Sequence, residues 1–413
     1  MKNITFKLFP FLISLVFIFP IFKESISSFF LILLSINTII YKISSKDYSF
    51  FKFQTFWLTI PFWIVLLNSV FSDNYRNSSI HIQHSSLFFI IPVLFSLIPE
   101  DFFIKKKIDL YISVLKNTCL IISIVYVLSF FINVSSWQYN VVFNNESRFR
   151  YHIYNDFKLF VIHPTYYTAI LILCSAHSFD LVLREKKYFQ LIYNVCFLFI
   201  SILLLTKLNL VFMLLLLISM IFIRGIYNLK TKLLFFFSLT SLILTFSFYS
   251  PGIKDRFMEV YESYNLKPKD DAYDSTNVRK AIFDSSIKIA KENWFFGVGF
   301  ENLQKTLNLT YAESYKSSFY LNRNYMTHNY YFYIFLSSGI IGLLVYLFYL
   351  INIIKVCLKS KLFLFKVVVL NALIICLIED YFYRQYGILY FNLLIMCFIR
   401  YSEKTTKENA INK

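Results

Sequence analysis

The stretch Asn329–Leu350, NYYFYIFLSSGIIGLLVYLFYL, carries no charged side chain. As a helix it is long enough to cross the roughly 30 Å of hydrocarbon in a bilayer, and it is apolar on every face. Similar runs recur along the whole chain of 413 residues. With 57% hydrophobic, 21% aromatic and only 16% charged residues, the chain has too much apolar surface for a soluble globule of this size to bury. An all-α integral membrane protein is the reading that follows. Apolar runs of spanning length lie at about 8–22, 26–41, 53–71, 85–99, 108–131, 165–183, 188–206, 209–223, 233–249, 329–352, 362–379 and 386–400. That predicts about twelve transmembrane helices, with 188–223 also readable as one re-entrant hairpin.

The net charge of +17 does not gather on one polar face, so no nucleic-acid partner is expected. It alternates instead with the spans. Clusters such as Lys105-Lys106-Lys107, Arg184 with Lys186 and Lys187, and Lys355 with Lys359 and Lys361 fall in every second connection. The short loops between them hold isolated bases such as Lys23, Arg76 and Lys207. Cytoplasmic loops collect Lys and Arg, so both termini are expected in the cytoplasm and residues 250–328 on the outer side. Residues 8–22 lead through Lys23-Glu24 straight into another apolar run without a small-residue cleavage site, and are expected to be retained. The six cysteines lie in or at the edges of apolar runs, none in the long outer loop, so no disulfide framework is expected.

The outer loop is the place to look for chemistry, because a connection this long is usually functional or disordered. Ser275–Trp294 (STNVRKAIFDSSIKIAKENW) spaces Val278, Ile282, Ile289 and Ala290 as an amphipathic helix does, and Gly297-Val298-Gly299 ends it. Only seven glycines occur in the chain. Gly297 and Gly299 therefore point to a sharp turn or a close backbone approach, and Gly339 and Gly342 to tight helix packing. His328-Asn329 closes the loop and opens the next span, where a helix start favours an anion and an adjacent neutral imidazole. Interfacial capping and proton transfer both suit His328. His163 precedes Pro164 at another helix start and reads equally as a cap or a binding group. Glu379-Asp380 with Arg384 reads as an interfacial ion pair, Asp270, Asp271 and Asp274 as a solvated turn, and Lys116 and Lys366 as bases that snorkel to the headgroups. His81 and His84 lack a third ligand, Asp73 being distant, and no metal site is expected. The organisation is thus residues 1–163 and 164–249 in the membrane, 250–328 outside, and 329–413 back in the membrane with a short tail.

The ordered set Asn277-Val278-Arg279, Phe296-Gly297-Val298-Gly299, and His328-Asn329 leading into Ser338-Gly339-Ile340-Ile341-Gly342 resembles the bacterial O-antigen ligase and polymerase superfamily. His163-Pro164-Thr165-Tyr166 and the segment EDYFYRQYG at 379–387 agree with it, over roughly residues 160–400. The resemblance implies a twelve-helix bundle of the glycosyltransferase C type in the inner membrane, with its active site in the periplasmic loop. It implies transfer of a glycan from undecaprenyl pyrophosphate to an acceptor hydroxyl, such as that of lipid A-core, with inversion and with neither metal nor cofactor. By that carry-over Arg279 and His328 are the catalytic candidates. Lys207, His163, Asn329, Gly297, Gly299 and Glu379 are candidates for contact with pyrophosphate or glycan. Thr206-Lys207 stands where the family commonly has Ser-Arg, which keeps the charge but loses the bidentate fork; Arg256 or Arg323 could substitute. Ligation, polymerisation of repeat units and protein O-glycosylation share this donor chemistry. A polytopic transporter or flippase is the rival of another class, disfavoured by the scarcity of charge in mid-span.

Overall fold

The fold comes from a computed structural model, which describes residues 1–18, 21–22, 24–46, 53–70, 75–133, 148–157, 162–223, 275–315 and 324–411, with single positions between 229 and 262. Every regular element among the described residues is helical. The α-helices are α1 (Lys2–Ile18), α2 (Glu24–Ser45), α3 (Ile60–Val70), α4 (Tyr75–Ser85), α5 (Leu87–Leu97), α6 (Lys105–Asn133), α7 (Arg148–Tyr151), α8 (Pro164–Glu185), α9 (Leu191–Leu203), α10 (Lys207–Ile223), α11 (Ser275–Glu292), α12 (Leu303–Tyr315), α13 (Tyr330–Lys359), α14 (Phe363–Ile375) and α15 (Gln385–Ile411). Two compact units result, one of residues 1–11, 31–108 and 259–413, the other of 12–30 and 109–258.

Five helices among the described residues are long and apolar enough to cross a membrane: Ser28–Ser45, Ser78–Leu97, Lys105–Ile132, Pro164–Glu185 and Tyr330–Lys359. Four more apolar stretches, Thr55–Val70, Tyr188–Leu203, Lys207–Phe222 and Phe363–Ile375, are shorter. The expectation was about twelve spans. The difference arises because several apolar runs fold as helices well short of a full span, and the run at 233–249 lies outside the described residues. The 188–223 stretch is one such case, with α9 and α10 joined by only Leu204-Leu205-Thr206.

In the second unit, α8 is the centre, with Pro164 and every residue from Tyr166 to Leu183 buried. Helices without a hydrophobic contrast to their lipid surroundings associate through small and polar side chains. Here Asn209 donates to Thr165 O (2.8 Å) and Thr168 Oγ1 (2.7 Å), Ser175 bonds Asn194, and the Tyr167 hydroxyl meets both Ser123 and Cys119 O at 2.9 Å. Lys116 does not snorkel to the headgroups. It is buried, donating to Gln190 Oε1 and lying 4.5 Å over the Tyr193 ring.

In the first unit, α13 packs on α3, α5 lies along α15, and the space between is filled by rings such as Phe88, Tyr330, Tyr349 and Phe382. The run Asn329–Leu350 that suggested one straight span is broken. Gly339 has φ 64° and ψ −167°, a region open essentially to glycine alone. The two arms fold toward one another, bringing the Tyr330 ring to 5.5 Å from that of Tyr346. In an unbroken helix the two Cα atoms would stand roughly 24 Å apart. Gly339 therefore breaks the helix where packing alone was expected.

A break inside an apolar helix leaves backbone groups without partners, which is costly away from water. The turn after α11 supplies them. Val298 N–H donates to Leu336 O (2.8 Å), Gly299 N–H to Ser337 O (3.0 Å), and Ile340 N–H to Trp294 O (2.9 Å). Asn68 of α3 completes the join, donating to Ser337 O and accepting from Phe300 N–H, both at 3.3 Å. The expected amphipathic helix is α11, which buries Val278, Ala281, Ile282 and Ile289 and packs on α12 and α13.

Candidate active site

The short arm of α13 begins in a constrained turn. His328 lies in the left-handed region with φ 46°, uncommon for any residue but glycine. The Asp380 carboxylate holds it there. Asp380 accepts the Thr327 hydroxyl, the His328 N–H at 2.8 Å and the Asn329 N–H at 3.2 Å. Asn329 then caps the helix, its side chain accepting from Phe332 N–H at 3.0 Å and donating to Leu377 O at 3.0 Å, while Tyr330 N–H reaches Cys376 O at 2.8 Å. The connection between α14 and α15 thus clamps residues 327–330 through backbone bonds. Burial pushes the Asp380 carboxyl above its usual range, with the Thr327 hydroxyl and His328 pulling the other way.

Glu379, one residue before that clamp, faces a guanidinium and an imidazole. Its carboxylate lies 3.5 Å from His328 Nδ1 and 4.0 Å from Arg279 Nη2. Both distances exceed a good hydrogen bond, so the contacts are electrostatic. Side-chain exposure rises across the set, from 21% at Glu379 to 33% at His328 and 54% at Arg279. Arg279 comes from the exposed face of α11, whose opposite face is buried. Three groups far apart in the chain therefore meet in one unit, a carboxylate between an imidazole and a guanidinium.

Other sequence candidates have different surroundings. The close approach permitted by Gly297 is to the broken helix, where a Cβ would lie 2.5 Å from the Ser337 carbonyl carbon, whereas a Cβ at Gly299 would meet the Glu301 carboxylate at 2.6 Å. Their segment's N–H groups are spent on Asn293, Leu336 and Ser337 carbonyls. The helix start at Asn329 is likewise occupied, its first N–H groups taken by Asp380, Cys376 and the Asn329 side chain, so any anion there falls to side chains. His163 and Lys207 belong to the other unit. His163 is the N-cap of α8, its Nδ1 accepting from Thr165 N–H at 3.3 Å, with its ring edge-on to Tyr154 and Tyr166. Lys207 is exposed at the first turn of α10, after Leu205 with φ 49°.

His81 and His84 pack against rings. His81 Nδ1 lies 3.3 Å from the Tyr333 hydroxyl, and His84 is edge-on to Tyr383. Among the described residues no three His, Cys, Asp or Glu side chains converge as metal ligands. Asp73, Arg256, Asp270, Asp271, Asp274 and Arg323 lie outside the described residues. Sequence reasoning grouped Asp380 with Glu379 and Arg384 and did not find its clamp on Thr327–Asn329. The one available signal was a second carboxylate at the end of an apolar helix, which needs buried partners.

Residues 192–347 match the family model described as O-antigen ligase. The matched region contains Lys207, Arg279, both outer-loop glycines, His328 and Asn329, and stops short of Glu379 and Asp380. No curated protein matches the chain.

Proposed function

We propose that this chain, a membrane protein assigned by that partial match to the O-antigen ligase superfamily, transfers a glycan from undecaprenyl pyrophosphate to an acceptor hydroxyl, joining O-polysaccharide to lipid A-core. The observation that carries this reading is the meeting of Arg279, Glu379 and His328. The fold-back at Gly339 supports it: Tyr346 lies about 10 Å along the long arm, so the His328 end of the short arm stands beside that arm's body and not at its tip. Glu379, the most covered of the three, acts on its neighbours more strongly than a charge fully in water would.

The chemistry follows from the geometry. The acceptor oxygen forms a bond to the anomeric carbon as the bond from that carbon to the pyrophosphate oxygen breaks, with inversion. Arg279 meets the charge that develops on the departing undecaprenyl pyrophosphate. His328 has Nδ1 toward Glu379, which leaves Nε2 to take the acceptor's proton, and the Glu379 carboxylate stabilises the imidazolium that results. Asp380 acts through the backbone, fixing the turn that aims the ring. The full arrangement we infer is a polytopic helical bundle of the glycosyltransferase C type in the bacterial inner membrane, with both termini cytoplasmic and residues 250–328 periplasmic.

Deletion of the gene tests the acceptor. Loss of long-chain lipopolysaccharide with lipid-linked polymer retained is the result expected for ligation. A single-repeat ladder would assign the chain to repeat-unit polymerisation instead, and loss of glycan from protein alone would make it a protein O-oligosaccharyltransferase.

A further inference from the structure

Glu379 stands where an anion is wanted. Arg279 Nη2 lies 4.0 Å from Oε1 and His328 Nδ1 3.5 Å from Oε2, so one carboxylate faces a guanidinium and an imidazole through different oxygens. The two contacts are not equivalent. His328 is pinned at its backbone by the Asp380 clamp, and its Nδ1 is buried with no hydrogen bond of its own. Arg279 is more than half exposed, on a long side chain projecting from the open face of α11. Its guanidinium is free to swing, and an arginine prefers the paired oxygens of a phosphate to a carboxylate oxygen held beyond bonding distance.

We propose that Glu379 is an internal counter-anion that a diphosphate displaces from Arg279, while its second oxygen stays with His328. This rests on the reading that the site takes a diphosphate donor. The consequence is a split between binding and turnover. The carboxylate opposes the incoming diphosphate, both as a competitor for Arg279 and as a like charge, and it then assists the step in which His328 accepts a proton. A residue that merely supported the fold would weaken both binding and turnover when changed.

The test is calorimetric titration of the purified full-length protein in detergent with inorganic diphosphate. Wild type is expected to bind, Arg279→Gln to bind at least tenfold more weakly, and Glu379→Gln to bind three- to tenfold more tightly while glycan transfer falls at least a hundredfold. Glu379→Asp, one methylene shorter, should shift binding in the same direction by less, and serves if the Gln variant does not fold. In an Arg279→Gln background, Glu379→Gln should produce less than half of its single-variant tightening. Unchanged or weakened binding by folded Glu379→Gln, with wild type binding normally, overturns the counter-anion role alone. Absence of diphosphate binding by folded wild type overturns the donor reading and this role with it.

Discussion

At the scale of single residues, the site depends on a backbone conformation that its own side chain does not favour. Holding a non-glycine residue at φ 46° costs on the order of 1 kcal/mol, and three hydrogen bonds to one Asp380 oxygen pair offset it. Asparagine has the same shape but only one acceptor oxygen, and its NH2 would face an N–H. Asp380→Asn should therefore destabilise the folded protein by about 1–3 kcal/mol and lower transfer at least tenfold, read by thermal unfolding in detergent and by transfer rate. Full activity in that variant would show that the clamp does not set the His328 ring. Arg279 and His328 stood out in the sequence because they fall in the one long polar loop and their order matched a known pattern. Glu379 was visible only as a minor candidate, and the Asp380 clamp not at all, since backbone bonds between residues some fifty positions apart leave no local trace.

The element that matters most is α13, and its break shows what hydropathy cannot report. A glycine in an apolar run fits a packed helix or a broken one equally well, because the decision lies in φ and in whatever satisfies the freed carbonyls. Here it is the Trp294–Gly299 turn and Asn68. Gly339→Ala would place a Cβ 2.0 Å from Phe295 O at φ 64°, a backbone clash that should cost more than about 3 kcal/mol. A Cβ at Gly342 meets mainly the Ser338 hydroxyl, at 1.9 Å, and a side chain can move where a backbone cannot. Gly342→Ala should therefore unfold at a temperature between those of wild type and Gly339→Ala; the reverse order would argue against the join. Replacing Asn68 by Leu leaves Phe300 N–H without its partner and takes one of two donors from Ser337 O, and should cost about 1–3 kcal/mol by the same measurement. Helix α11 was readable from its 3.6-residue period. Helix α12 was not, its sequence LQKTLNLTYAESY being too mixed in polarity to separate from a loop.

For the molecule as a whole, composition alone revealed an all-α membrane protein, while the number of crossings was less legible because apolar runs such as those in α9, α10 and α14 make helices shorter than a span. The charge pattern predicts that α11 lies outside the cytoplasm. A cysteine at exposed Lys291 should accordingly react with a membrane-impermeant maleimide in intact spheroplasts, whereas labelling only after permeabilisation would reverse the orientation. The central claim is that the Arg279–Glu379–His328 set moves a glycan off a lipid diphosphate. Its most direct test is transfer by the purified protein, reconstituted in liposomes with an undecaprenyl-pyrophosphate-linked glycan and lipid A-core, scored by the release of undecaprenyl pyrophosphate. Wild type should turn over, and His328→Ala and Arg279→Ala, each folded and inserted, should be slower by at least a hundredfold; both variants releasing undecaprenyl pyrophosphate at the wild-type rate would contradict the account.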